Sequence, residues 1–257
     1  MLEQHFELNL HPFFLNSVPK AGTHLIKQIL IGMPSIKHDP ANHMYEGLTS
    51  QLSDHKKILT TLGPNEFASG HIYYSEEWAQ MLSNLNMKQI FMIRDPRDVL
   101  VSFYYYLDKL PHFNLYKYME ANKLSKKEKI LSIIKGVQIP EVDYPDIKTW
   151  FNLFRGWMYN PFVLNVRFEE LHFSNESARL NTIRRIVAFL MGEINPIKLD
   201  HVVNHMIANI APVSSPTFRK GAIGNWKTEF DEEIKQAFKD VTGNLLIEMN
   251  YEKTMDW

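Results

Sequence analysis

The chain has 257 residues, 45% hydrophobic and 22% charged, with 28 Lys plus Arg against 29 Asp plus Glu and no cysteine. Those proportions are ordinary for a globular chain and exclude a collagen-like, coiled-coil or largely disordered polymer. The missing thiols exclude a disulfide framework and any thiolate metal site, and a formal net charge of −1 excludes bulk attraction to nucleic acid or an anionic membrane, so a bound anion needs a local cluster.

The first twenty residues contain acidic side chains and no apolar run of signal-peptide length, and no stretch approaches the ~20 apolar residues of a membrane span. A soluble cytoplasmic protein is the expectation, and the sequon at Asn175 is expected to carry no glycan.

Short apolar runs alternate with longer amphipathic stretches, which predicts an α/β chain with a central parallel sheet flanked by helices, in one domain over residues 1–257. The first run, Phe13 to Val18, predicts a buried strand, and Pro19 to Thr23 a tight turn. From Thr23 to Met33, the apolar positions Leu25, Ile26, Ile29, Leu30 and Met33 recur at helical spacing. A second strand, Gln89 to Ile93, leads through Arg94 into a helix that Asp95 caps, with Pro96 in its first position and Asp98 completing a capping box.

Ser125 to Glu128 is a capping-box start for a helix ending near Gly136, and the aromatic-rich stretch from Pro145 to Met158 predicts another helix. The third strand, Phe162 to Val166, leads into Arg167 and Phe168. A helix from Ser174 to Gly192, capped by those two residues, has Leu180, Ile183, Ile186, Val187, Leu190 and Met191 on one face.

Neither Gly-x-Ser-x-Gly nor His-Glu-x-x-His occurs, and no Gly-x-Gly is present for a dinucleotide fingerprint. The Walker pattern also fails, since Lys20 precedes Gly22. His201 and His205 share a helix face but have no acidic neighbour between them, so surface histidines are expected in place of a metal pair. The first turn nevertheless has the parts of an anion cradle: backbone N–H groups of Gly22, Thr23 and His24 opening a helix, the Lys20 ammonium, the Thr23 hydroxyl, and a glycine that lets the backbone approach a ligand. Arg94 ends a strand where ligands of open α/β sheets collect. Arg219, Lys220 and Gly221 form a second cationic, glycine-bearing loop. Together these elements point to a ligand with two separated phosphate-like groups.

At this point the sequence resembles the sulfotransferases that use 3′-phosphoadenosine 5′-phosphosulfate (PAPS). The resemblance rests on three blocks, Ser17 to His24, Ile93 to Ser102, and Arg219 to Trp226, in order and spacing over roughly residues 13 to 230. It implies a P-loop-like strand, loop and helix in which Lys20, Ala21, Gly22, Thr23 and His24 surround the 5′-phosphosulfate. Arg94, Ser102, Arg219, Lys220 and Gly221 would hold the 3′-phosphate, and Phe168 would line the adenine pocket. It also implies His71, within Ala68 to Ile72, as general base, Lys20 as the cation stabilising the leaving oxygen as PAP departs, and no metal. The chemistry agrees: sulfuryl transfer, like phosphoryl transfer, requires in-line alignment and charge stabilisation, and imidazole suits removal of an alcohol proton.

The chain departs from the animal cytosolic branch at several positions. It has His24 and Leu25 for threonine and tryptophan, Ser69 for a lysine two residues before the histidine, Phe168 for a tyrosine and Asn225 for an aspartate. The branch's dimerisation motif is absent from residues 227–232, so nothing is inferred about oligomers. The aromatics Phe103 to Tyr106 and Trp150, Phe151, Phe154 and Trp157 suit either an acceptor pocket or the core. A hydroxylated small molecule of phenolic, steroidal or polyketide type is the leading acceptor, followed by glycan or glycopeptide hydroxyls, with an amine as the alternative acceptor group. A nucleotide or small-molecule kinase, or a non-catalytic nucleotide-binding protein, is the alternative.

Overall fold

The computed structural model describes residues 8–211 and 221–257. In chain order the elements are β1 (Phe13–Ser17), α1 (Thr23–Ile31), β2 (His43–Glu46), α2 (Leu52–Thr61), β3 (Phe67–Ile72), α3 (Glu76–Asn84), β4 (Lys88–Ile93), α4 (Pro96–Leu107), α5 (Asn114–Ala121) and α6 (Lys126–Lys135). These are followed by β5 (Val137–Ile139), β6 (Val142–Tyr144), α7 (Ile147–Tyr159), β7 (Val163–Arg167), α8 (Phe168–Leu171), α9 (Glu176–Met191), α10 (Pro196–Ala208), α11 (Trp226–Glu229), α12 (Glu232–Thr242) and α13 (Leu245–Glu248). They cluster into two compact units, one made from the chain up to Ile93 and from Phe154 to Gly221, the other from Arg94 to Leu153 and Ala222 to Trp257.

The first unit carries a five-stranded sheet in the order β2-β3-β1-β4-β7, with every pairing parallel. Because β1 lies between β3 and β4, the strand order reverses around it, and the carboxyl end of β1 is the switch point at which open α/β sheets bind ligands. Burial on both faces explains the apolar runs Phe13 to Leu15 of β1 and Ile90 to Ile93 of β4. Phe13, Phe14, Leu15, Phe67, Ile90 and Phe91 are all within 1% of complete burial.

The second unit packs α4, α6 and α12 around Ile130, Ile133, Ile134, Ile234 and Phe238. Its centre is the buried Arg97, whose guanidinium pairs with Asp95 and with Glu252, each at 2.7 Å, and lies 3.9 Å from the Trp226 ring centre and 4.5 Å from that of Trp257. A buried charge is tolerable only when paired, and this one meets two carboxylates and two indole rings.

The capping box of Ser125 and Glu128 forms as the sequence predicts, and Gly136 ends that helix at φ 75°. Two caps differ. Asn175, not Ser174, accepts the first-turn N–H of α9, because the Ser174 hydroxyl instead meets the His172 ring at 2.7 Å. Asp95 caps α4, but Asp98 does not close a box. It turns instead to accept the backbone N–H groups of Gly224 at 2.7 Å and Trp226 at 3.1 Å. Phe151, Phe154 and Trp157 are buried to within 1%, which makes them core. His201 and His205 are exposed with rings 4.5 Å apart. Among the described residues no three His, Cys, Asp or Glu side chains are grouped to hold a metal, and no helix is long and apolar enough to cross a membrane.

Candidate functional site

The loop after β1 is shaped by two residues of positive φ, Lys20 at 69° and Gly22 at 103°. Gly22 is the N-cap of α1 and has no side chain with which to cap it. The Ala21 N–H returns to the Val18 carbonyl at 3.0 Å, and the Leu25 N–H reaches the Gly22 carbonyl at 2.9 Å. Between them, the N–H groups of Gly22, Thr23 and His24 meet no acceptor among the described residues, so three donors converge at the positive end of a helix beside the half-buried Lys20. That donor set fits a sulfate or phosphate oxyanion. Phe168 packs so closely against the loop that a Cβ on Gly22 would lie 2.6 Å from its ring.

His71, the penultimate residue of β3, lies beside this loop. Its Nδ1 lies 2.9 Å from the Ser17 carbonyl oxygen, which can only accept, so Nδ1 carries the proton and Nε2 keeps a free lone pair. The Ser17 hydroxyl lies 3.2 Å from the same nitrogen and 2.7 Å from the Thr23 hydroxyl, tying the imidazole to the first residue of α1. Burial is the main force pushing the His71 pKa down to about 4. The Ser17 carbonyl opposes it, and Lys27, Lys20 and His24 add to it. Exposed His24 is also lowered, by partial desolvation and by Lys27 and Lys20.

Asn16, fully buried, secures this geometry. Its side-chain oxygen accepts the N–H groups of Ser17 and Ile72, each at 2.9 Å, and its amide donates to the Ile72 carbonyl at 3.0 Å. It thus continues the β1–β3 ladder past the last paired residues, Asn16 and Gly70, and fixes both neighbours of the His71 contact. A polar residue inside the fully buried strand β1 is the sequence signal for it. Also missed were Lys27 and His43. The His38 Nε2 lies 2.9 Å from the Ser69 hydroxyl, which lies 2.8 Å from His43 Nδ1, and the Lys27 ammonium approaches that same nitrogen at 3.4 Å. No local pattern could have joined α1, β2 and β3 in this way. Ser69 is therefore a buried link in a hydrogen-bond chain.

In the second unit the buried Arg94 donates to the Ala222 carbonyl at 2.8 Å and lies 3.5 Å from Asp98. Asn225 donates to the same carbonyl at 2.9 Å. Arg94, Asp98 and Asn225 together fold the segment from Ala222 to Trp226 onto α4, where Ser102 is half-buried. Gly221 has φ 59°. Arg219 and Lys220 lie outside the described residues.

A family model described as the sulfotransferase domain matches residues 10–252. The chain belongs to the sulfotransferase family. Sulfotransferase 1E1 of Mus musculus is 26% identical over 190 residues, 64% of this chain and 59% of the mouse protein, so that match spans less than two thirds of its relative. Amine sulfotransferase of Oryctolagus cuniculus is 24% identical across 96% of this chain and 87% of its own.

Among solved structures, mouse sulfotransferase SULT7A1 complexed with PAP superposes with a TM-score of 0.60 at 17% identity, covering 97% of this chain and 88% of that one. Retinol dehydratase in complex with retinol and PAP gives 0.54 at 17% identity, with 98% and 84% covered. Both are likenesses of fold, and they agree with the α/β class and parallel sheet expected from the sequence.

Proposed function

We propose that this sulfotransferase, acting as one domain over residues 1–257, moves the sulfuryl group of PAPS to the hydroxyl of a small-molecule acceptor by in-line displacement. Lys20, Ala21, Gly22, Thr23 and His24 bind the phosphosulfate end. Arg94, Ser102, Arg219, Lys220 and Gly221 take the 3′-phosphate, and Phe168 borders the adenine. His71 removes the acceptor proton at Nε2 as the acceptor oxygen bonds to sulfur. The bond from sulfur to the bridging oxygen breaks, and the Lys20 ammonium stabilises the charge that develops there as PAP leaves. No metal enters these steps, and the protein is expected to work in the cytoplasm.

The observation that carries this reading is the Ser17 carbonyl holding the Nδ1 proton of His71, which leaves Nε2 unprotonated beside an anion cradle. A pKa of about 4 keeps the free imidazole neutral at pH 7. A bound polyanion offsets Lys20 and raises that value toward the range in which a base is most effective.

Calorimetry without magnesium, comparing PAP, ATP and NAD, tests the reading. PAP binding well above the other two is expected, and His71→Ala should keep that binding while abolishing transfer to an alcohol. Equal binding of ATP and PAP, or a requirement for magnesium, would favour a kinase and overturn it.

A further inference from the structure

The cluster around Lys27 lies beside the proposed base and has no place in the mechanism above. Lys27 follows Thr23 by one helical turn on α1, and the Thr23 hydroxyl meets Ser17, which in turn meets His71. In the sheet, His43 is registered with Ser69 and Tyr45 with His71, so these four side chains share the sheet face to which Lys27 reaches. The His43 ring centre is 5.0 Å from that of His71 and that of Tyr45 is 5.8 Å away. The β2 strand forms the edge of the sheet, and Tyr45 is 60% exposed, so the cluster opens to solvent there.

The charges in this place are unbalanced. The half-buried Lys27 ammonium pairs with no carboxylate among the described residues, and its one hydrogen-bond partner is an imidazole nitrogen. The acids of the neighbouring segment are committed or peripheral: Asp39 accepts the Ala41 N–H at 2.8 Å, and exposed Glu46 ends β2. The neighbouring histidines do not supply the missing negative charge, and they do not repel an anion either. Burial lowers His38 to about 4 and His43 to about 3, so both are neutral donors and acceptors at pH 7. Lys27, lowered to about 8 by burial, is still mostly protonated there. A partly desolvated cation without a counter-ion, ringed by neutral hydrogen-bonding side chains, is what a site for an incoming oxyanion requires.

We propose that Lys27, with His43 and Tyr45 beside it, forms an oxyanion subsite next to His71 that takes a carboxylate or similar group on the acceptor, so that favoured acceptors are hydroxylated molecules bearing a negative charge. This rests on the sulfotransferase reading and narrows its acceptor class. The anion would anchor at Lys27 while the hydroxyl projects past His43 toward the His71 imidazole. The donor's own sulfonate shares this oxyanion chemistry, and the experiment separates the two sources.

Two phenols that differ only in a carboxylate and its primary amide are compared as acceptors by wild type, Lys27→Met and Lys27→Arg, with PAP affinity measured by calorimetry for each protein. A charge-assisted contact predicts a wild-type preference for the carboxylate of about tenfold or more in kcat/KM. Lys27→Met should bring that ratio close to one, and Lys27→Arg should retain most of it. The proposal is overturned if wild type shows no preference, a result that needs no variant to fold. It is also overturned if Lys27→Met lowers both acceptors in parallel with a fall in PAP affinity, which assigns the cation to the donor. Wild type that binds PAP without preferring the carboxylate defeats this inference alone; wild type that neither binds PAP nor transfers defeats the sulfotransferase reading with it.

Discussion

Replacing Gly22 with alanine tests the loop where the backbone, the ring above it and the proposed anion site meet. Gly22 sits at φ 103° and ψ 30°, a region that side-chain-bearing residues rarely enter, and holding one there takes roughly 1–3 kcal/mol. The new methyl would lie 2.6 Å from Phe168 Cδ2 and 3.0 Å from Met92 Cε, well inside the ~3.5–4.0 Å at which carbons rest. Phe168 is only 5% exposed, so its ring has little room to withdraw, and overpacking of this kind adds roughly 1–3 kcal/mol. Against this, alanine restricts the unfolded chain and returns about 0.4–1 kcal/mol. The net expectation is a loss of about 2–4 kcal/mol in urea unfolding. The melting midpoint should fall by about 5–10 °C. PAP affinity should fall as well, because the loop must shift. The same substitution in a Phe168→Leu background separates the two causes: relief of the clash should recover about half of the loss. A Gly22→Ala protein within about 0.5 kcal/mol of the parent would refute the geometry of the loop. An equal loss in both backgrounds would refute the part assigned to Phe168.

Two further perturbations address the core and the histidine cluster. Gln89 is 1% exposed on β4 and neither polar atom of its amide has a hydrogen-bond partner among the described residues, so Gln89→Leu should stabilise the protein by about 1 kcal/mol in urea unfolding, whereas destabilisation would mean the amide is satisfied after all. His38, His43 and His71 are all depressed below the ordinary 6.5, so between about pH 4 and 6.5 the unfolded chain binds more protons than the folded one. Stability is therefore full above pH 6.5 and falls as the pH drops. One such histidine loses about 2 kcal/mol between pH 7 and pH 5, and the unfolding free energy should drop by at least that much. A flat profile over this interval, which lies above most carboxylate titrations, would show that the three rings are not held neutral.

Local sequence was enough for the α/β class, the strand, loop and helix around Lys20 and Gly22, and the start of α6 at Ser125, whereas His71 was singled out by the family resemblance and the strand that carries it, β3, was not read from the sequence. Each depends on neighbours within a few positions: apolar periodicity, a cap three residues from its partner, or a glycine where the chain must turn. The caps that went to different residues show the limit of such reading. Ser174 and Asp98 have suitable side chains for the roles expected of them, but His172 and the backbone N–H groups of Gly224 and Trp226 take those side chains instead. For Asp98 the competing donors lie 126 and 128 positions away, so no window of sequence could have ranked them. The same holds for the surroundings of His71. Its residue type was visible in the sequence. The proton on Nδ1 is set by a carbonyl 54 positions earlier, and the joining of Lys27, His43 and Ser69 follows from the parallel register of β2 on β3 and the packing of α1 over it. Sequence determined which groups were present and how each short segment folds, since those depend on covalent neighbours. Tertiary structure decided which groups face one another, and with that which nitrogen of His71 holds the proton and where an unbalanced charge lies.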